Sequence, residues 1–123
     1  MWFRLKKVRT LGIIERISIQ RLKDQVLNEV AITYKYYFQG GLYYGKGYLY
    51  IHDFLKNSEF RIYLDGDEEP ILEIGSERWK TEEHIESMLL SRYPSVFVYF
   101  DPLEPYRSRL DSLNYVSSVD IVV

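Results

Sequence analysis

A chain of 123 residues with 46% hydrophobic and 28% charged residues has the size and balance of one globular domain built on a single core. The formal net charge of −2 argues against nucleic acid as the main partner, and the absence of cysteine removes disulfides, thiolate metal sites and cysteine nucleophiles. No apolar run approaches the roughly eighteen residues of a membrane span and no signal-peptide pattern is visible, so a soluble, cytoplasmic protein is expected, with peripheral contact at the inner membrane left open.

The first ten residues hold Arg4, Lys6, Lys7 and Arg9 with no acid, beside Trp2 and Phe3. An aromatic pair next to a basic cluster suits an anionic lipid surface, while a solvated terminus is the plainer alternative. Leu11 to Gln20 then reads as a strand in which Ile13, Ile17 and Ile19 share a face, with Gly12 marking a bend. Arg21 to Asn28 is polar and reads as a loop or a single helical turn.

Val30 to Ile51 is the most informative stretch, holding seven of the twelve tyrosines. Gly40-Gly41 between two β-branched and aromatic runs predicts a hairpin, because a two-residue primed turn needs positive φ. Pairing across that turn sets Gln39 opposite Leu42 and Val30 opposite Ile51. Val30, Ile32, Tyr34, Tyr36 and Phe38 then face the core, with Tyr34 and Tyr36 over Gly47 and Gly45. The other face carries Lys35, Tyr37, Tyr44, Lys46, Tyr48 and Tyr50, with Lys35 directly opposite Lys46. These six residues are the candidate partner-binding set, since tyrosine is enriched at interfaces and paired lysines suit an acidic partner. A solvated sheet face competes with that reading.

His52 to Glu59 has no clear period and reads as a connection. Phe60 to Leu64 and Ile71 to Ile74 are predicted strands around an Asp65-Gly66-Asp67 turn. Between Asp53 and Glu86 eleven acids outnumber four bases, an acidic flank that suits solubility or a basic partner. Thr81 as N-cap, Glu82 and Glu83 in a first turn, and the spacing of Ile85, Met88 and Leu89 predict one helix over about 81–92, ended before Pro94. Val96 to Phe100 is a strand cut short by Asp101-Pro102, and a last strand is expected from about Tyr115 to Val122. The fold class is therefore α+β in a single domain over 1–123: a mostly antiparallel, strongly twisted sheet of about six or seven strands with one helix packed on it.

Three groups of residues carry a resemblance. Tyr34-Lys35-Tyr36, Gly40 and Tyr43-x-Gly45 resemble the signature hairpin of an uncharacterised bacterial family of small β domains. Tyr93-Pro94, Val96-x-Val98-Tyr99-Phe100-Asp101-Pro102-x-x-Pro105 and Leu110 are similar to its second signature, and Val8-Arg9-Thr10-x-Gly12-x-Ile14 to its entry strand. The likeness spans roughly three-quarters of the chain. It implies a β domain that is usually tethered by flanking transmembrane helices, with some members reported as partners of secreted toxins. This chain departs from the pattern by having no such helices and by extra sequence at about 53–74, a segment that stands as an insertion relative to the family.

Catalytic motifs do not survive inspection. Gly40 to Gly47 imitates a phosphate loop, but Gly47 stands where Ser or Thr is required and the run continues as a strand. Asp65, Asp67 and Glu69 lack the remaining calcium-loop pattern, and His52 and His84 form no metal spacing. Asp101-Pro102-x-x-Pro105 reads as a structural corner. A non-enzymatic protein with no cofactor and no metal site is expected, acting by protein–protein contact, with a toxin-neutralising immunity protein as the sharpest form. A membrane-surface accessory domain held by Trp2, Phe3, Arg4, Lys6, Lys7 and Arg9 is the alternative, and single-stranded nucleic acid on the aromatic sheet face a third.

Overall fold

The computed structural model describes residues 8–22, 25–55 and 59–110. Eight strands and two helices follow one another there: β1 (Val8–Leu22), β2 (Gln25–Phe38), β3 (Gly41–Tyr50), α1 (Ile51–Phe54), β4 (Phe60–Leu64), β5 (Pro70–Ile74), β6 (Glu77–Lys80), α2 (Glu82–Arg92), β7 (Ser95–Asp101) and β8 (Glu104–Leu110). The α+β class and the predominance of antiparallel sheet are as expected, but the strands divide into two sheets. Five form a sheet in the order β3-β2-β1-β7-β8, and β4-β5-β6 form a small meander.

Every hydrogen-bonded neighbour in the large sheet is antiparallel, so its two edges, β3 and β8, run parallel to each other. Those edges approach closely enough to pack, which curls the sheet into a partly open five-stranded barrel. Tyr34 reaches from β2 to share a 2.8 Å hydrogen bond with Ser108 of β8. Gly45 lies between them, and a Cβ there would meet the Tyr34 phenol and come within 2.7 Å of Ser108 Oγ. The glycine is what lets the barrel close over a tyrosine.

The strand β1 serves two partners, β2 along Ile13–Leu22 and β7 along Val8–Ile13. A bulge at Glu15 resets its alternation, so Ile14, Ile17 and Ile19 are buried while Ile13 points outward. The expected Ile13-Ile17-Ile19 face is thus corrected at its first member. Pairing with β7 ends at Ile13, and farther along β1 the Ile19 N–H donates to Glu86 of α2 at 2.8 Å.

Helix α2 starts where predicted: Thr81 Oγ1 accepts from the His84 N–H, and Ile85, Met88 and Leu89 are buried. It packs against β1, β5 and β6, joining the small sheet to the barrel through one core that includes Ile17, Ile19, Leu72, Ile85 and Leu89. Several other expectations need correction. Arg21 to Asn28 largely continues β1 and β2, and α1 opens the stretch read as a connection. Strands β6 and β8 add to those expected from the sequence, and the strand expected at Tyr115 to Val122 lies outside the described residues. Among the described residues no helix is long and apolar enough to cross a membrane.

Candidate functional site

The β2–β3 hairpin turns on Gln39-Gly40, both at positive φ (48° and 79°), one residue earlier than Gly40-Gly41. A type I′ turn needs left-handed geometry at both central positions, and here glutamine fills the first. Phe38 therefore faces Gly41, Tyr36 faces Tyr43, Tyr34 faces Gly45 and Val30 faces Leu49, while Ile51 has left the sheet for α1. The offset is even, so each residue keeps its predicted face. Tyr34 and Tyr36 are fully buried, whereas Tyr37, Tyr44, Tyr48 and Tyr50 are 58, 57, 60 and 51% exposed.

The same offset removes the predicted lysine pair. Lys35 lies opposite Tyr44, and Lys46 lies opposite Thr33. Like charges directly across a ladder repel, and the actual register avoids this. Lys35 is instead held by Glu15, the residue extruded at the β1 bulge, with 3.2 Å between Nζ and the carboxylate. Hydrogen bonding to Glu15 pushes the lysine pKa up, so it stays charged throughout the physiological range.

Arg16 and Ser18 of β1 complete this face and carry no mark in the sequence, whereas Thr33 falls on it by the alternation of β2. The bulge at Glu15 turns Arg16 outward, into register with Thr33 and so with Lys46 beyond it. A shallow groove of about 290 Å³ runs there, lined by Arg16, Ser18, Ala31, Thr33, Lys46 and Tyr48. Its small residues form the floor, and its two cations and Tyr48 form the walls. Tyr50 closes one end of the face and stacks on His52 at a ring-centroid distance of 5.3 Å.

Of the basic N-terminal set, Trp2, Phe3, Arg4, Lys6 and Lys7 lie outside the described residues. Arg9 stands on β1 with its guanidinium 4.1 Å from the Phe97 ring centroid. On the acidic flank, Asp65 Oδ1 accepts from the Asp67 and Glu69 N–H groups, which holds its pKa below the ordinary value. Glu73 is gripped by Arg78, Tyr63 and Arg61, and its pKa is likewise lowered. Among the described residues no three His, Asp or Glu side chains converge on a point where a metal ion would fit. The phosphate-loop imitation Gly40 to Gly47 lies in the hairpin turn and β3, with no helix behind it. Asp101 is buried and accepts from the Leu103 N–H at 2.9 Å, which makes the β7–β8 corner.

No family model, curated protein or solved structure matches this chain.

Proposed function

We propose that the protein is a non-catalytic binding domain that meets another protein through the outer face of β1, β2 and β3. The observation that carries this reading is the gathering of four half-exposed tyrosines on the outer face of the curled sheet. A tyrosine side chain offers about 150–250 Å², so the four present roughly 300–600 Å² of rigid amphipathic surface. One side of a standard interface is about 800 Å². Tyrosine has few rotatable bonds, so ordering it on binding costs little. Lys35, Tyr37, Tyr44, Lys46, Tyr48 and Tyr50 are the proposed contact residues.

A non-catalytic role is supported by the state of the titratable groups. The tyrosines with raised pKa are inside the barrel, and the carboxylates with lowered pKa are committed to structural hydrogen bonds. None is poised near neutrality in a cleft. A toxin-neutralising immunity protein is the specific form of this proposal, resting on the family resemblance. Affinity capture from the encoding organism tests it. A stoichiometric partner lost by a folded variant with alanine at Lys35, Tyr37, Tyr44 and Lys46 supports the face, whereas one retained by that variant moves the contact elsewhere.

A second reading follows from topology. A five-stranded, partly open barrel with the order 3-2-1-4-5 and a helix before its fourth strand has the plan of an OB-type fold, whose second and third strands bind oligonucleotides or oligosaccharides. That likeness is of architecture and carries less weight than the residues of the site. Salt-dependent retention on a single-stranded oligonucleotide column supports it, and passage through at low salt removes it. The membrane-surface alternative rests on the basic N-terminus, and alanine at Arg4, Lys6, Lys7 and Arg9 tests it through liposome binding.

A further inference from the structure

Arg16 and Lys46 are the two cations of the groove, and among the described residues neither has an ion-pair or aromatic partner. Lys35, on the same face, is by contrast paired with Glu15. Both stand in one cross-strand row with Thr33 between them, two strand spacings or about 10 Å apart at the backbone. Long side chains from those positions lean over a floor of Ser18, Ala31 and Thr33, two of which add hydroxyl groups.

We infer that this groove is an oxyanion subsite for the carboxylates of an acidic, extended segment of a partner protein. The inference rests on the protein-binding reading and names the chemistry of its partner. The charge count favours a polypeptide with one or two acidic residues over a nucleic-acid strand. Only two cations are unpaired here, Glu15 and Glu29 lie on the same face, and the whole chain is at −2. A phosphodiester backbone brings one charge per nucleotide and would run past those acids, whereas a pair of carboxylates matches Arg16 and Lys46 one to one. Tyr44 and Tyr48 flank the row on β3 and would cover the apolar residues beside the acids.

Fluorescence anisotropy of the full chain with a labelled octapeptide that carries two glutamates among neutral residues tests this, with octathymidylate and the corresponding two-lysine octapeptide as comparisons. The expected result is saturable binding of the two-glutamate peptide at low salt, weakened about tenfold by Arg16→Ala with Lys46→Ala, as two exposed ion pairs allow. Arg61→Ala with Lys80→Ala, which removes the same charge from the other sheet, changes it less than twofold. Arg16→Glu with Lys46→Glu transfers the preference to the two-lysine peptide, and that gain of binding shows that a loss in the alanine pair is not unfolding. Equal weakening by both alanine pairs, no saturable binding, or tighter octathymidylate binding through the same two residues overturns the subsite. So does concentration-dependent self-association that Arg16→Ala with Lys46→Ala abolishes, which would make a second copy the occupant. A native partner kept by the Arg16 and Lys46 variants but lost on Tyr44→Ala with Tyr48→Ala would sink the subsite alone and leave the binding function standing.

Discussion

Tyr34 and Ser108, seventy-four residues apart, share a 2.8 Å hydrogen bond across the seam between the two edges of the barrel. The phenol passes over Gly45, and this contact joins the folding of the β2–β3 hairpin to that of β8. Tyr34→Phe and Ser108→Ala are each expected to cost about 1 kcal/mol, with the double variant costing less than the sum. Gly45→Ala forces a Cβ into the ring and is expected to cost about 1–3 kcal/mol. Urea denaturation midpoints measure all four.

The same tyrosines set an alkaline limit. Burial raises the pKa of both Tyr34 and Tyr36 above the ordinary value of 10.0. Below that value they are neutral in folded and unfolded chains, and stability is unaffected. Above it the unfolded chain ionises first, so stability falls as pH rises through the higher folded values. Denaturation midpoints of wild type and Tyr36→Phe between about pH 9 and about pH 11 check the sign, and the variant is expected to lose less.

Glu73 works in the opposite direction. Its hydrogen bonds from Arg78, Tyr63 and Arg61 lower its pKa below 4.5, so its contribution is present above that value and is lost as pH falls through the folded one. Melting curves of Glu73→Gln are expected to show a shallower acid-side decline than wild type. An unchanged slope would mean that the three donors do not act on it in solution.

Gln39 occupies a position where φ is 48°, a conformation that asparagine and glycine adopt more readily. Gln39→Asn or Gln39→Gly is expected to stabilise the hairpin by about 0.5 kcal/mol. Thermal unfolding of the variants measures it, and destabilisation would contradict the type I′ geometry.

Much of this architecture was legible because burial enforces periodicity. Alternation fixed which tyrosines of β2 and β3 face inward, and an error in the turn left that division intact because the offset was even. What periodicity could not reveal was the bulge at Glu15, which depends on tertiary pairing with β2 and turns Arg16 into the groove. An arginine between Glu15 and Ile17 looks like a surface residue of an ordinary strand, and only the three-strand register sets it across Thr33 from Lys46. Strand β8 was hidden for a related reason: Tyr106, Arg107 and Arg109 face outward and only Ser108 and Leu110 mark its inner face. Its apolar signal is too short to stand out in sequence.

The outer face of β1, β2 and β3 is the proposed seat of a protein partner. Hydroxyl-radical footprinting of the captured complex against the free protein tests it directly, because tyrosine is a reactive reporter and exposed examples stand on and off the face. Protection of Tyr44 and Tyr48 is expected, with Tyr37 or Tyr50 at the margin, while Tyr106 on β8 keeps its free reactivity. Unchanged reactivity at Tyr44 and Tyr48, with protection confined to Tyr63 or Trp79 on the small sheet, would contradict it.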